Sequence, residues 1–449
     1  MQKRGCFYFY INKRMMLNSG KNKKTETFSF FNEPTSALTF IDLFAGAGGL
    51  SEGFLKNDFF PLAHVEMSKD ACDTLKTRLS FHYLRKINKL DIYYNYLNRK
   101  ISRDQLYSYI PVDIINSVLN YEMKKDNLSK VFGNIYASLK NLKIGQIDLI
   151  IGGPPCQAYS TAGRNREKDR KKHDLRKHLY KIYARFLSEF EPKMFVFENV
   201  PGLLTTEDGK YYKNLKKYFR RIGYEVEDRT IDASDFGVLQ KRKRILIIGW
   251  DKRYNLGYPD LQVINNRWTV NDLLSDLPFI KAGETKPVCK YSAGINEYLK
   301  DFGIRNGVDF ITQHITRPHN NKDLVIYKMA IESWEKEKHR LLNSEIPEIQ
   351  RTQKNTRSFL DRFKVVAKDR LSHTVLAHIA KDGHHYIHPD KQQLRSLSVR
   401  EAARIQSFPD DYFFEGSRTS VFRQIGNAVP PLMAGKIAEN MKEILSNGD

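Results

Sequence analysis

The sequence contains little cysteine. Four cysteines are scattered among 449 residues, and none belongs to a C-x-x-C pair. This spacing argues against a disulfide framework and against a zinc site, so we expect a reducing compartment and no metal ion. The four positions are Cys6, Cys72, Cys156 and Cys289.

Long apolar runs are also missing. The start, "MQKRGCFYFYINKRMML", is basic, but its apolar stretch is too short and too interrupted for a secretory signal. No later run approaches the length of a membrane span, so we expect a cytoplasmic protein without a membrane partner. The G-x-x-x-x-G-K-[ST] pattern of ATP-hydrolysing P-loops is absent, and so is the G-x-G-x-x-G spacing that a nicotinamide-dependent oxidoreductase would need.

Acidic residues are outnumbered. The chain has 74 Lys and Arg against 52 Asp and Glu, which leaves a formal net charge of +22. Such an excess attracts a polyanion and can supply many phosphate contacts, so nucleic acid is the leading partner. A basic, solvated surface is the alternative interpretation. Residues 1–36 are basic and polar, and we expect them to form an extension outside the fold.

The apolar residues that are present fall into short, nearly continuous runs. These runs are typical of strands buried on both faces of a sheet, and they are "ALTFIDLF", "FPLAHVEM", "QIDLIIGG", "KMFVFENV" and "KRILIIGW". Helical patterns such as residues 176–192 lie between them, and this alternation predicts a doubly wound α/β sheet. Residues 76–132 interrupt the rhythm, which indicates a helical insertion. After Trp250 the character changes, and a second, smaller domain is predicted there.

A glycine-rich turn follows the first predicted strand. Gly46, Gly48 and Gly49 allow the backbone to approach a ligand at the carboxyl edge of the sheet, where α/β proteins bind nucleotides. Glu66 ends the next strand, 20 residues after Gly46, and suits ribose hydroxyls. The pattern favours an adenosine-type cofactor over a dinucleotide, although a plain turn is the alternative.

Cys156 stands in "GGPPCQ", directly after a buried strand. The glycines and prolines make a sharp, rigid loop, which is how a nucleophile is displayed rather than how a structural cysteine is buried. A cysteine thiol has a pKa of about 8.5 and needs a nearby cation or helix N-terminus for activation. The basic stretch at 162–178 could close over a phosphate backbone, or it could be a solvated charge run.

Two further strand ends carry polar residues. "FVFENV" places Glu198 and Asn199 at the edge that also carries Cys156, and "QKRKR" places Arg242 and Arg244 on one face of the last strand, because strand side chains alternate. Glu198 could instead cap a helix or pair with an arginine. The sequence therefore predicts one cleft that receives a thiol, a carboxylate and guanidinium groups.

These motifs together resemble one enzyme family. The ordered set "FIDLFAGAGG", "GGPPCQAYS", "FENV", "QKRKR", "SVREAARIQSFPDDY" and "RQIGNAVPP" is similar to that of the DNA (cytosine-5) methyltransferases. The resemblance implies a Rossmann-like S-adenosylmethionine-dependent methyltransferase sheet with a smaller target-recognition domain. It divides the chain into a catalytic domain at 37–250, target recognition at 251–420, and a segment at 421–449 that returns to the catalytic domain.

The resemblance also implies a reaction. A methyl group would pass from S-adenosylmethionine, leaving S-adenosylhomocysteine, to C5 of a cytosine flipped out of duplex DNA. Cys156 matches the nucleophile that adds to C6, and Glu198 matches the residue at N3 of the base. Arg244 matches the arginine that holds O2, and Arg242 is expected to support the same region.

The binding residues implied by the resemblance fall into two groups. For the cofactor they are Phe44, Gly46, Gly48, Glu66, Leu179 and Asn427. Asn134 in "FGNIYASL" is expected near the adenine amine, where the family often has an aspartate, while Asp91 lies further upstream. For DNA they are Gln157, which would fill space around the displaced base, the phosphate-contacting Ser160, and the basic residues Arg164 and Arg166.

Alternatives within and beyond this family stay open from the sequence. An RNA cytosine-5 methyltransferase shares the fold, although the long variable region and "PPCQAYS" favour DNA. A non-catalytic DNA-binding regulator should have lost the thiol or the carboxylate. We expect a bacterial restriction-modification enzyme that acts as a monomer near the nucleoid, beside a separate cognate endonuclease. Bases would be read from 251–393, with candidates Arg317, His319 and Lys322.

Overall fold

The architecture was analysed in a computed structural model, which describes residues 37–155, 179–265, 267–353, 355–357 and 360–447. The strands are β1 Thr39–Leu43, β2 Phe60–Glu66, β3 Val118–Asn120, β4 Leu149–Gly152, β5 Met194–Asn199, β6 Tyr224–Asp232, β7 Lys243–Asp251, β8 Thr285–Lys290 and β9 Phe310–Ile315. The helices are α1 Gly49–Lys56, α2 Lys69–Lys86, α3 Leu90–Leu97, α4 Arg103–Ser108, α5 Val112–Asn116, α6 Leu128–Leu142, α7 Leu179–Phe190, α8 Gly202–Thr205, α9 Lys210–Arg221, α10 Val270–Leu274, α11 Glu297–Asp301, α12 Asn321–Glu337, α13 Val399–Ile405, α14 Arg418–Asn427 and α15 Pro431–Asn447. Short 3₁₀ turns occur at Lys125–Asn127, Ala233–Phe236, Asn343–Glu345, Glu348–Gln350 and Ala377–Ala380.

Seven strands form the central sheet, in the order β3-β2-β1-β4-β5-β7-β6. Strands β1 to β5 pair in parallel, whereas β7 is antiparallel to both β5 and β6. The sheet therefore confirms the predicted α/β class. The reversed β7 brings its first residues, rather than its last, to the edge where the parallel strands end.

Successive residues of each central strand face opposite sides of this sheet. In β1, Phe40 belongs to a core beneath α1, α2 and α15, while Ile41 and Leu43 belong to a second core beneath α6, α7 and α9. Both faces are covered, which explains why the strands appear as continuous apolar runs in the sequence. Among the described residues, no helix combines the length and apolarity needed to cross a membrane.

The stretch predicted as an insertion, residues 76–132, is mostly helical but also contains β3. This strand pairs with β2 from His64↔Val118 to Glu66↔Asn120, so the stretch contributes an edge to the main sheet. Three residues are too few to show a strand period, which is why the sequence pattern did not reveal it.

The region after Trp250 contains the antiparallel pair of strands β8 and β9. It also contains a small core around α12, and the buried members of this core include Ile326, Tyr327 and Phe363. A larger core joins residues 270–304 and 366–428 to Leu239, which precedes β7. That core contains Phe414 and also Val421 of α14. Packing is therefore continuous across residue 420, where the sequence predicted a domain boundary.

Buried ion pairs join distant parts of the chain. Arg78 of α2 binds Glu52 through Nε at 2.8 Å and Asp411 through Nη1 at 2.9 Å. Arg404 of α13 binds Asp410 through Nε at 2.9 Å and also pairs with Asp276. The arginines hold the pKa of Glu52 and of Asp410 below the ordinary range despite burial, which would otherwise raise it. Breaking such a pair leaves an uncompensated buried charge.

The last helix, α15, packs on the first, α1. A Cβ on Gly53 would overlap the backbone of Ala434, so the two helices meet at backbone distance. The side chain of Asn57, just after α1, donates Nδ2 to the Gly435 carbonyl at 3.2 Å. Helix α15 thus covers α1, the helix that follows the glycine-rich turn.

Candidate active site

The carboxyl edge of the sheet brings together two of the predicted catalytic residues. Because β7 is antiparallel to β5, Glu198 lies opposite Leu246 and Asn199 lies opposite Ile245, next to Arg244. Arg244 Nε lies 2.7 Å from Glu198 Oε1, and the side chains are only 9% and 12% exposed. Arg244 Nη1 also donates to the Lys243 carbonyl at 2.8 Å, which fixes the guanidinium.

The backbone that leads to Cys156 is held against this pair. A Cβ on Gly153 would lie 2.7 Å from Glu198 Oε2, so a larger residue there would push the carboxylate aside. Asn199 Nδ2 donates to the Pro154 carbonyl at 3.1 Å, while Asn199 Oδ1 accepts from the Val200 amide at 2.9 Å. The loop is therefore anchored beside the Glu198–Arg244 pair up to Pro154, and Cys156 follows two residues later in the sequence.

Five of the predicted catalytic and DNA-binding residues lie outside the described part of the chain. They are Cys156, Gln157, Ser160, Arg164 and Arg166. Their predicted roles stay predictions.

Arg242 does not join the Glu198–Arg244 pair. Its Nη1 donates to the Val375 carbonyl at 2.7 Å, and its Nη2 donates to the carbonyls of Gly426 at 3.3 Å and Ala428 at 2.9 Å. Arg242 lies one residue before β7, where strand alternation does not fix its direction. The Arg242 guanidinium thus binds the backbone of later chain segments and does not bind the Glu198 carboxylate. This differs from the prediction that Arg242 and Arg244 lie on the same face of the strand.

The glycine-rich turn is in direct contact with Glu66. Gly46 and Gly48 have φ angles of 55° and 78°, and Phe44 adopts φ 59°, a conformation that is unfavourable for a bulky side chain. Glu66 accepts hydrogen bonds from the Gly46 amide at 2.9 Å and the Ser68 amide at 2.7 Å. Burial raises the pKa of Glu66, and these amides oppose the increase.

A buried acid lies beneath this turn. Asp42 of β1 accepts a short hydrogen bond from the Ser51 hydroxyl of α1. Burial raises the pKa of Asp42 to about 8, against the lowering effect of Ser51. The carboxyl group is therefore mostly protonated at neutral pH, which makes it a neutral support for the turn rather than a second negative charge beside Glu66.

The structure does not bring Asn134 to this edge. Asn134 lies on the exposed side of α6, and its Nδ2 donates to the Lys130 carbonyl at 2.9 Å within the same helix. The strand next to β2 ends instead at Asn120, whose Nδ2 donates to the carbonyls of Glu66 and Met67, both at 3.0 Å. The sequence feature that could have indicated Asn120 is "VLN", a short apolar pair followed by a polar residue.

The remaining cofactor candidates lie near the same edge. Helix α7 ends just before β5 begins, so it runs opposite to the parallel strands and its first residue, Leu179, lies at their carboxyl end. Asn427 is exposed and precedes Ala428 and Val429, which pack so closely on Gly49 that no Cβ would fit there. Met67, 64% exposed beside Glu66, is an apolar neighbour that the sequence interpretation missed.

Of the three candidate base-reading residues, Arg317 and His319 contact other parts of the protein, whereas Lys322 is exposed. Arg317 donates to the carbonyls of Ile379 at 3.0 Å and Ala380 at 3.1 Å, and the imidazole of His319 lies 3.0 Å from the Ser396 hydroxyl. Burial lowers the pKa of His319 to about 3, so its ring is neutral. Lys322 is exposed on the first turn of α12. Arg317 and His319 thus bind protein groups here.

Known proteins share this arrangement of sequence and fold. The family described as C-5 cytosine-specific DNA methylase matches residues 38–107 and 113–443. The type II methyltransferase M.Bpa9945I of Bacillus paralicheniformis is 44% identical over 445 residues, covering 90% of this chain and 99% of that protein. M1.HphI of Haemophilus parahaemolyticus is 30% identical, covering 92% of this chain and 88% of that protein.

A solved structure agrees in fold. It is described as a DNA modification methyltransferase encoded within an Escherichia coli prophage, and it has a TM-score of 0.60 at 24% identity, covering 92% of this chain and 100% of that one. Membership of the methylase family implies the use of S-adenosylmethionine. The family match across nearly the whole chain shows that this protein belongs to the C-5 cytosine-specific DNA methylases and is a DNA methyltransferase.

Proposed function

We propose that the protein transfers a methyl group from S-adenosylmethionine to C5 of a cytosine within a specific duplex DNA sequence. The observation that carries this proposal is the Glu198–Arg244 pair beside the anchored Gly153–Pro155 loop. A carboxylate can accept hydrogen bonds from the amino group and from a protonated N3 of a cytosine, and a guanidinium can donate to its O2. Cys156 follows at the next residue.

The residues at the glycine-rich turn fit the cofactor. A Cβ on Gly46 would meet no atom within 4 Å, so the backbone there borders open space. Glu66 can accept from ribose hydroxyls, the Asn120 amide oxygen can accept from an adenine amine, and the exposed Met67 can cover an adenine face. When bound, S-adenosylmethionine supplies an electrophilic methyl group.

The protein's own groups act on the base. The target must leave the stacked duplex before any side chain can reach its C6 atom. The Cys156 thiolate adds to C6, while Glu198 hydrogen-bonds N3 and stabilises the proton there, and Arg244 holds O2. The addition increases electron density at C5, which then takes the methyl group. Water takes the C5 proton, the thiolate is expelled from C6, and N3 gives up its proton, which restores the aromatic ring.

Further parts of this proposal concern DNA binding and the cellular setting. Ser160, Arg164 and Arg166 contact phosphates, and Gln157 fills space around the displaced base. The enzyme acts as a monomer near the nucleoid, as the methylating half of a restriction-modification system with a separate endonuclease. The type II methyltransferase names of its relatives support this setting.

The direct test is transfer of labelled methyl groups to duplex DNA and, in parallel, to transfer RNA. We expect labelling of DNA alone. Bisulfite sequencing of DNA from cells that express the protein should then show protected cytosines within one sequence context. Labelling of RNA alone would refute the DNA assignment and favour an RNA methyltransferase of the same fold.

Gly153 gives a prediction about the carboxylate. In Gly153→Ala the new Cβ would lie 2.7 Å from Glu198 Oε2, so the carboxylate must move away from its position beside Arg244. Displacement of a catalytic group by about 1 Å can cost about 10²-fold in rate, and we expect a loss of that size in steady-state methylation assays. Gly145→Ala is the matched control, because a Cβ on the exposed Gly145 meets no atom within 4 Å. Equal activity of the two variants would contradict the prediction.

A further inference from the structure

Tyr412, the last residue of the motif "SVREAARIQSFPDDY", contacts the glycine-rich turn from the region after Trp250. Its hydroxyl donates a hydrogen bond to the carbonyl of Ala47, a residue 365 positions earlier in the chain. A Cβ on Gly48 would lie 3.0 Å from Tyr412 Oη, so the backbone of the turn passes close to this hydroxyl. A buried tyrosine from a late part of the chain thus packs directly against the turn.

The backbone of the turn depends on contacts of this kind. Phe44, Gly46 and Gly48 adopt φ angles of 59°, 55° and 78°. A left-handed conformation is strained for Phe44, and it persists only where the surroundings determine it. The two glycines adopt many other conformations equally well, so they do not fix the shape of the turn by themselves.

Two side chains hold neighbouring residues of the turn. Glu66 accepts a hydrogen bond from the Gly46 amide at 2.9 Å, and Tyr412 donates to the Ala47 carbonyl. Glu66 ends β2 of the central sheet, whereas Tyr412 follows α13. Two separate parts of the chain therefore determine the conformation of the turn.

Tyr412 is itself fixed by its neighbours. Its ring lies edge-on to Phe408 with the centroids 4.7 Å apart, and the guanidinium of Arg78 lies 4.7 Å from the Tyr412 centroid. Arg78 also binds the adjacent Asp411 at 2.9 Å. Burial raises the pKa of Tyr412 well above its ordinary range, so the hydroxyl keeps its proton at neutral pH and remains a donor.

We propose that Tyr412 is a positioning residue for the cofactor: its hydroxyl fixes the Ala47 carbonyl and so holds the glycine-rich turn in the shape that S-adenosylmethionine binds. Tyr412 acts through the backbone, since its hydroxyl is occupied by that carbonyl. The inference rests on the proposed function, because it requires the cofactor to lie beside Gly46.

The expected consequence is a change in affinity. Without the hydroxyl, the turn of the free protein populates other conformations, and the cofactor binds only the fraction that has the right shape. The apparent dissociation constant rises as that fraction falls. The rate of the chemical step should change little, because the protein that has bound the cofactor has the same turn conformation as before.

The test compares Tyr412→Phe with Tyr224→Phe in the full-length protein. Tyr224 is also buried, and its hydroxyl donates to the Pro192 carbonyl at 2.9 Å. Tyr224 is the first residue of β6 and Pro192 precedes β5, so this hydrogen bond lies at the opposite edge of the sheet. Each variant loses one buried hydroxyl–carbonyl bond, and we expect similar decreases in the denaturant midpoint.

Calorimetry measures the binding of S-adenosylhomocysteine, and hydrogen exchange measures the amides of residues 44–49. We expect Tyr412→Phe to weaken binding roughly 3- to 10-fold, the equivalent of one hydrogen bond, and to speed exchange in the turn. Its KM for S-adenosylmethionine should rise by a similar factor, while kcat at saturating cofactor stays within about twofold of wild type. Tyr224→Phe should leave affinity, exchange in the turn and KM unchanged.

Equal affinity of the two variants for S-adenosylhomocysteine would overturn the proposal, as would a loss of kcat without a change in KM. If the wild-type protein binds no S-adenosylhomocysteine, the proposed function fails. Hydrogen exchange separates the two failures, because unchanged exchange in the turn of Tyr412→Phe would refute the role of Tyr412 whether or not the cofactor binds.

Discussion

Cys156→Ser is expected to reduce methyl transfer at least about 10³-fold, because a neutral hydroxyl cannot replace the thiolate that is proposed to add to C6. Binding of duplex DNA should stay within a few-fold of wild type, since Glu198 and Arg244, the residues proposed to hold the base, are unchanged. Single-turnover transfer of labelled methyl groups measures the first effect, and equilibrium binding measures the second.

The matched control is Cys289→Ser. Cys289 lies in β8, outside the Glu198 edge, and is a free, partly buried thiol. We expect it to keep most of its activity. A duplex with 5-fluorocytosine at the target adds a second readout: fluorine at C5 cannot leave as a proton, so the thiolate is not expelled and a protein–DNA adduct accumulates. Full activity of Cys156→Ser, or an adduct formed by it, would contradict the covalent mechanism.

Glu198→Gln is expected to lower kcat for methylation by about 10² to 10⁴, the range that a positioned acid or base contributes. Glutamine keeps the size of the side chain and one oxygen for Arg244, so KM for DNA should change little. The variant loses the carboxylate that stabilises a proton at N3, and the effect should therefore appear in the chemical step.

Glu225→Gln is the control for loss of a carboxylate from the same sheet. Glu225 of β6 pairs with Lys252 at 3.4 Å, and both side chains are 49% exposed. Its replacement should change the free energy of unfolding by less than about 0.5 kcal/mol. Removing the charge of Glu198 beside the buried Arg244 should cost more, about 1–3 kcal/mol by denaturant unfolding. A kcat within twofold of wild type for Glu198→Gln would rule out its assigned role.

The sequence predicted the central strands because each is buried on both faces and therefore continuously apolar. Strand β6 escaped prediction because it lies at the sheet margin, where its buried apolar residues alternate with polar ones such as the exposed Glu225 and the partly buried Glu227. Strand β3 escaped because it is three residues long. In both β3 and β6, pairing with a neighbouring strand stabilises the extended backbone, and the local apolar content does not indicate it.

Contacts between site residues were predictable from the sequence where the position of the backbone alone brings the residues together. Glu198 and Arg244 meet because strand ends converge, and Glu66 meets Gly46 for the same reason. Arg242 was assigned from strand alternation and the family resemblance, and Asn134 from the resemblance alone. Their side chains bind groups that neither argument reveals: carbonyls as far away as Ala428, and a carbonyl one helical turn earlier. Partners distant in the chain are set by tertiary packing, which sequence periodicity does not encode.

The contact between α1 and α15 also bears on how the chain is made. Asn57 binds the Gly435 carbonyl, a partner 378 residues later in the chain. At a translation rate of about 5–20 residues per second, the helix behind the glycine-rich turn waits roughly 20–80 seconds on the ribosome for that partner to be synthesised. The helix that follows the glycine-rich turn is therefore packed only after α15 is made, and a chain truncated before α15 should emerge with that helix unsupported.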